Sequence, residues 1–238
     1  MSIFNFLTVL LFTFSTAPCL SVIGSEDIKS SHPIINVEDT LKEKLSLYNG
    51  RLWTNTYYKI KGDPYFLSGQ YLPGSVTFNG KVFPDQRLKY DIFNDEIILW
   101  VNPLTIIILN KEMIDSVNID YLGKSYKVIN LGDDSTSVIK GLVNIWYEGE
   151  TTLFVKYKKM IDPLAVEKRY DIFFQTLRLY VKKDGKIYLV SGKRDLLKIL
   201  ADKIVEVKSF IKTKRLSVMR KDPESFVPVL EYYDSLKQ

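Results

Sequence analysis

The chain has 238 residues, of which 46% are hydrophobic and 26% charged, with a formal net charge of +5. This balance is that of an ordinary globular protein with one large domain or two small ones. The single histidine, His32, and the single cysteine, Cys19, exclude a Ser-His-Asp triad and a structural zinc site, which need a placed imidazole or about four nitrogen and sulfur ligands.

The first 21 residues have the composition of an export signal. Residues 3 to 14 carry no charge and are followed by small residues and Pro18, which is the order found in secretory signals. A membrane span needs about 20 apolar residues, and Asn5, Thr8 and Thr13 interrupt this run. We therefore expect cleavage of residues 1–21 and a periplasmic or secreted location. A retained anchor and a buried helix are the alternatives.

Cys19 lies at the end of the apolar run, so the mature chain would have no disulfide. Small residues before a cysteine are also typical of bacterial lipoproteins, which makes Cys19 a candidate for lipid attachment. Pro18 departs from that pattern. An outer-membrane lipoprotein is therefore the alternative to a soluble exported protein.

Residues 22–46 form a polar lead-in that contains one short amphipathic piece, residues 37–47, suited to a helix or a first strand. Residues 47–191 then show short apolar or alternating runs separated by turn residues. This is the spacing of hairpins rather than of β-α-β units. The 15 tyrosines and 13 phenylalanines also favour strands. We therefore expect an antiparallel β domain over residues 47–191.

Four dipeptides are expected to turn one strand into the next. Asn-Gly and Asp-Gly tolerate the positive φ angles of a two-residue type I′ turn, and the other two pairs are polar breaks between apolar runs. The four are Asn79-Gly80, Asn94-Asp95, Glu148-Gly149 and Asp184-Gly185. The last turn would pair Val181 with Tyr188 and Leu179 with Val190, which gives this hairpin one apolar face.

Residues 97–110, IILWVNPLTIIILN, are the most apolar part of the chain after the leader. Pro103 divides them into two pieces of strand length, because proline cannot continue a central strand. We interpret the run as a buried part of the sheet. The alternative is the wall of a cavity for an apolar ligand.

Carboxylates are the catalytic groups that the composition leaves available. They cluster as Asp91, Asp95 and Glu96, as Asp133 and Asp134, and as Glu148 and Glu150. Each cluster falls at an expected turn, so we interpret its members as solvated turn residues. A glycoside hydrolase would instead need two carboxylates about 5 to 10 Å apart, in a cleft lined by aromatics such as Trp53, Trp100 or Trp146. No calcium loop, phosphate loop or dinucleotide motif is present, so no metal or cofactor is expected.

After residue 191 the apolar period becomes helical. The stripe consists of Leu196, Leu197, Leu200, Ile204, Val207 and Ile211, which predicts one helix of about twenty residues. Asp222 and Pro223 then indicate the N-cap and first turn of a second helix, whose apolar side carries Phe226, Val227, Leu230 and Tyr233. We expect residues 192–238 to form a helical hairpin packed on the sheet.

Charge is concentrated near the end of the chain, where residues 178–221 contain fourteen basic and four acidic side chains. The lysines facing away from the apolar stripe form a candidate patch for an anionic partner: Lys198, Lys203, Lys208 and Lys212. Anionic envelope lipid or polysaccharide would fit such a patch. Nucleic acid is not expected as a partner, because the protein is expected to be exported. A solvated basic face without a partner is the alternative.

Several sequence segments occur together and are spread over most of residues 47–236. They are LYNGRLW, YFLSGQYLPGSVTFNGKVF, LKYDIFNDEIILW, and KRDLLKILADKIVEVKSFIKTKRLS followed by EYYDSL. This combination resembles a group of uncharacterised exported proteins of Bacteroidota. The resemblance implies a β-rich region closed by a lysine-rich helix pair and a location in the envelope. It carries over no functional residue.

The sequence thus predicts a β-rich α+β protein, with an antiparallel sheet or partly closed barrel and two C-terminal helices. The expected function is non-enzymatic binding or scaffolding in the cell envelope. One alternative is a carboxylate-dependent hydrolase of envelope or extracellular glycans, and a second is a carrier of an apolar ligand.

Overall fold

The computed structural model describes residues 45–166 and 169–237, without the side chains of residues 165 and 166. All of these residues belong to one compact unit, Val37–Gln238. The export segment 1–21, Cys19, His32 and the lead-in as far as residue 44 lie outside the described residues. Their assignments therefore stay predictions.

Twelve strands in the described part of the chain form a single sheet. They are β1 (Arg51–Leu52), β2 (Ile60–Lys61), β3 (Leu72–Phe78), β4 (Lys81–Asp91), β5 (Glu96–Asn102), β6 (Thr105–Ile108), β7 (Ile114–Tyr121), β8 (Lys124–Asn130), β9 (Leu142–Glu148), β10 (Thr152–Val166), β11 (Tyr170–Lys183) and β12 (Lys186–Val190). Their order is β1-β6-β5-β4-β3-β7-β8-β9-β10-β11-β12, with β2 added parallel to β11. The sheet is otherwise antiparallel and open, which confirms the fold class predicted from the hairpin spacing.

The four predicted turns join consecutive strands. At Asp184 and Gly185 the φ angles are 49° and 75°, and the pairs Val181 with Tyr188 and Leu179 with Val190 are confirmed. Another two-residue turn, Leu122-Gly123, has nearly the same φ angles. Leucine gives no sequence signal for such a turn, because Asn, Asp and Gly are the residues that favour it.

The sheet is strongly curved. The Lys159 amide in β10 donates to the Ile92 carbonyl just after β4, at 3.2 Å, and the Tyr90 hydroxyl in β4 donates to the Leu142 carbonyl in β9, at 3.0 Å. Four strands separate β4 from β10 in the sheet order, so these bonds cross the concave side. The main hydrophobic core fills this concave side and is shared with the helices.

Three α-helices follow the sheet: α1 (Lys193–Ile199), α2 (Ile204–Thr213) and α3 (Val227–Ser235). The single twenty-residue helix predicted here is wrong, because a 3₁₀ turn at Ala201–Lys203 separates α1 from α2. The Ile199 carbonyl accepts from Lys183 Nζ of β11 at 2.9 Å, and the Lys203 amide bonds only three residues back, to Leu200. The apolar stripe itself is confirmed, since Leu196, Leu197, Leu200, Val207 and Ile211 are buried in the shared core.

The second predicted helix begins later than expected. Residues Pro223–Phe226 form a 3₁₀ turn, and the Asp222 side chain makes no capping bond, which corrects its predicted role. Pro228 lies in the first turn of α3, where the missing amide has no helical partner to lose. Phe226, Leu230 and Tyr233 are buried as expected. In the part of the chain that the structure describes, no helix is long and apolar enough to cross a membrane.

Candidate ligand-binding groove

A groove of about 370 Å³ lies on the concave face of the sheet. Alternate side chains of a strand share one face, which places Tyr157 and Lys159 of β10 on the groove side. Gln175 of β11 lies directly opposite Lys159. Tyr126 of β8 and Trp146 of β9 continue the wall, and the segment 63–67 lines the opposite side.

Aromatic rings form most of the groove. Phe66 packs on Tyr157 with the ring centroids 4.8 Å apart, and it meets Tyr126 edge-on at 5.6 Å. Tyr126 in turn meets Trp146 edge-on at 6.1 Å. These contacts hold each ring against at least one other, so the wall is rigid and apolar.

The segment carrying Phe66 is fixed to the sheet by its backbone. The Phe66 amide donates to the Tyr90 carbonyl at 2.8 Å, and the Ile92 amide donates to the Pro64 carbonyl at 3.0 Å. Leu67 then has a φ of 64°, in the left-handed region that costs a leucine roughly 1–2 kcal/mol. Strain of this kind persists where the surroundings impose it, and it is frequent at binding sites.

The rim of the groove is polar. Lys159 Nζ donates to the Asp63 side chain at 2.9 Å and to its carbonyl at 2.5 Å. Among the described residues lining the groove, Asp63 is the one acid, and the ion pair neutralises it. Gln175 adds an exposed amide. The rim therefore offers hydrogen-bonding groups without net charge.

Two polar side chains behind the rings are buried without hydrogen-bond partners among the described residues. They are the Trp146 indole N–H and both amide atoms of Asn144. Asn144 is 1% exposed and lies across from Val128 and Val155, on the same face of β9 as Trp146. An unpaired buried polar group costs about 1–3 kcal/mol, so such groups in a native fold need a reason.

Tyr157 stands beside these unpaired groups. Burial raises the pKa of the Tyr157 hydroxyl. The nearby Trp146 indole opposes this increase, although the two groups do not have the geometry of a hydrogen bond. Burial and the nearby Asp91 carboxylate likewise raise the pKa of Tyr65. Both phenols therefore stay neutral at physiological pH and can donate hydrogen bonds. The groove combines flat apolar rings with neutral donors and acceptors, which suits binding of a ring with a polar edge.

The three tryptophans proposed for a hydrolase cleft are not brought together. Trp146 lines the groove, whereas Trp100 lies under Arg87, whose guanidinium is 4.8 Å from the ring. Trp53 packs in a separate cluster with Ile98 and Ile108. In the described residues, no three His, Cys, Asp or Glu side chains converge in a way that would hold a metal.

The acidic clusters divide into two kinds. The prediction of solvated turn residues is wrong for Asp91, which is 1% exposed and accepts from the Phe93 and Asn94 amides, both at 2.9 Å. It is also wrong for Asp95, which is held by Lys156 at 2.7 Å and Lys111 at 2.8 Å. Burial opposes the ionisation of Asp95, but the two ammonium groups outweigh it and lower its pKa.

Most of the remaining clustered acids are solvated turn residues, as predicted. The exposed ones are Asp133, Asp134, Glu148 and Glu150, each at or beside a turn, whereas Glu96 is half-buried and pairs with Arg51. The prediction of a buried run over residues 97–110 is confirmed for its two ends, since residues 97–99 in β5 and 107–109 at the end of β6 are buried. It is wrong for the turn between them, where Leu104 is 95% exposed.

The predicted lysine patch is spread over three elements. Lys198 of α1 is paired with Asp195 at 3.6 Å, and Lys203 lies in the 3₁₀ turn. Lys208 and Lys212 lie one turn apart on α2, exposed and without an ion pair in the described part of the chain. Nothing in the described geometry identifies a partner for these lysines, so the patch stays a prediction. Comparison with known proteins finds no family model, no curated protein and no solved structure that matches this chain.

Proposed function

We propose that this protein is an exported binding protein of the cell envelope, which holds its ligand in the aromatic groove and does not turn it over. The observation that carries the proposal is the row of packed rings with unpaired buried polar atoms behind it. The leader-like residues 1–21 and the resemblance to exported proteins of Bacteroidota support the location.

Glycans are the ligand class that fits the groove best. A pyranose ring has one apolar C–H face, which stacks on an aromatic ring, and a periphery of hydroxyl groups. Tyr126 and Trp146 offer the flat faces, while Gln175 and Tyr157 offer hydrogen-bonding groups at the edge. A cavity of about 370 Å³ accommodates one or two sugar units.

The proposal is tested by titrating the purified full chain with neutral oligosaccharides and recording tryptophan fluorescence. We expect binding to change the emission of the native chain and of Trp100→Phe, because Trp100 lies outside the groove. Trp146→Phe keeps an aromatic face but loses the indole N–H. Its smaller ring offers less stacking area to the ligand, so it should lose most of the emission change and bind up to about tenfold more weakly.

Mass spectrometry of the oligosaccharides after incubation separates binding from turnover. Intact oligosaccharides support the proposal. Cleavage that disappears in Asp63→Asn would instead support the hydrolase alternative. Equal effects of the Trp100 and Trp146 substitutions, or no binding of any oligosaccharide, would contradict a glycan site in this groove.

A further inference from the structure

A second cleft, of about 400 Å³, lies on the opposite face of the strands that build the groove. Lys156 and Lys158 of β10 alternate with the groove residues Tyr157 and Lys159, so they point away from the concave side. On β11, Arg178 lies directly opposite Lys156. Residues 138–140, from the loop before β9, form the other wall of the cleft.

The charges in this cleft are of one sign. It is lined by Lys140, Lys156, Lys158 and Arg178, and no described acidic side chain lines it. Lys156 turns its ammonium to Asp95 and to the Leu142 carbonyl, at 2.7 and 2.6 Å. The other three have no ion pair within the described ranges and are exposed. Lys158 and Arg178 lie on neighbouring strands, where like charges repel one another. The Asp134 carboxylate lies outside the cleft but within electrostatic reach of Lys140. Most of the positive charge in the cleft is therefore uncompensated.

The loop that carries Lys140 is held in place. Ile139 is 2% exposed and packs with Phe154 and Tyr180 of the sheet. The Gly141 amide donates to the Gly132 carbonyl at 2.7 Å, which closes the base of the loop. Gly141 has a φ of 68°, which favours glycine, and a side chain there would press on the ends of the Asp95 and Lys111 side chains. The loop therefore holds the backbone of Lys140 beside the strands that carry Lys158 and Arg178.

We propose that this cleft binds a phosphate group. A phosphate monoester carries nearly two negative charges and three acceptor oxygens, and it can engage three cations at once. A guanidinium such as that of Arg178 binds two phosphate oxygens side by side. A carboxylate has one charge and two oxygens and would leave part of the cluster unpaired. Tyr180, which also lines the cleft, adds a hydroxyl group, whereas the Thr176 hydroxyl already donates to the Lys158 carbonyl at 3.3 Å.

The test is isothermal titration of the full chain with inorganic phosphate at constant ionic strength. Lys158→Gln combined with Arg178→Gln should weaken binding by at least about tenfold, because both changes remove charge-assisted hydrogen bonds. Lys208→Gln combined with Lys212→Gln is the matched control. It removes the same charge from α2 and should alter the affinity less than about twofold. Circular dichroism checks that each variant is folded.

Two further arms identify the source of the phosphate. Binding of glucose 6-phosphate, but not of vesicles, would indicate a soluble or glycan-linked phosphate. Binding of phosphatidylcholine vesicles that contain phosphatidic acid, but not of pure phosphatidylcholine vesicles, would indicate a lipid head group. The inference is overturned if none of the three phosphate probes binds, or if the two double variants weaken binding equally. Trp146→Phe should bind phosphate normally, which separates this site from the groove.

Discussion

Asp234 is a buried carboxylate in the last turn of α3, where the helix dipole disfavours a negative charge. It is 4% exposed, and it accepts hydrogen bonds from the Tyr147 hydroxyl at 2.9 Å and from the Thr151 amide and hydroxyl at 3.0 and 2.9 Å. Burial, followed by these interactions with Asp234, raises the pKa of Tyr147 to about 12. A single residue thus fixes α3 to the turn between β9 and β10.

Replacing this carboxylate is expected to destabilise the protein. Asp234→Asn turns one acceptor oxygen into a donor that faces groups already donating, so the free energy of unfolding should fall by about 2 kcal/mol. Glu231→Gln, an exposed change on the same helix, should alter it by less than about 0.5 kcal/mol. Urea unfolding measures both. Equal midpoints for the two variants would show that the buried bonds contribute nothing.

At the scale of elements, the hairpins depend on turns whose residues must adopt positive φ. Asn79-Gly80 and Asp184-Gly185 contain the residues that do so most easily, whereas Leu122 adopts a φ of 49° with an 87% exposed side chain. Leucine gains no packing in compensation at this position. The turn between β7 and β8 is therefore strained, and its register is set by the cross-strand pairs from Tyr121 with Lys124 onward.

Leu122→Asn is expected to stabilise the protein. Asparagine tolerates the left-handed conformation, so the free energy of unfolding should rise by about 0.5–1 kcal/mol. Leu104→Asn is the control, because Leu104 is 95% exposed but has no positive φ. Chemical denaturation should show a higher midpoint for the first variant alone. The same gain in both would assign the effect to the loss of an exposed leucine rather than to the backbone.

At the scale of the whole molecule, one polar cluster joins the helices to the sheet. Asp202, between α1 and α2, accepts from Lys183 Nζ of β11 at 2.5 Å and from the Tyr233 hydroxyl of α3 at 2.7 Å. Burial opposes the ionisation of Asp202, but the hydrogen bonds from Lys183 and Tyr233 outweigh it and lower its pKa to about 2. The cluster also explains why the predicted single helix is interrupted at this point.

The lowered pKa of Asp202 predicts acid sensitivity. An unfolded aspartate has a pKa of about 3.9, so its stabilising contribution is full above about pH 4 and is lost as the pH falls through about 2. Its side chain is 44% exposed, and water screens the pair, so Asp202→Asn should cost only about 1 kcal/mol at pH 7. Denaturation from pH 7 to pH 2 should show the native and Asp202→Asn curves converging in acid, with Glu206→Gln parallel to the native chain throughout. A constant difference across this range would contradict the assignment.

The sequence by itself determined part of the local structure of this protein, although not the break between α1 and α2 or the Leu122-Gly123 turn. Type I′ dipeptides, strand alternation and the helical stripe predicted the hairpin at residues 184–185, the β-rich class and the buried side of the helices, because each depends on residues close in the chain. Both proposed binding sites depend on the tertiary structure. Trp146, Tyr157 and Phe66 come from separate segments, as do Lys140, Lys158 and Arg178. Curvature and strand order decide which of them meet, and no local pattern encodes either.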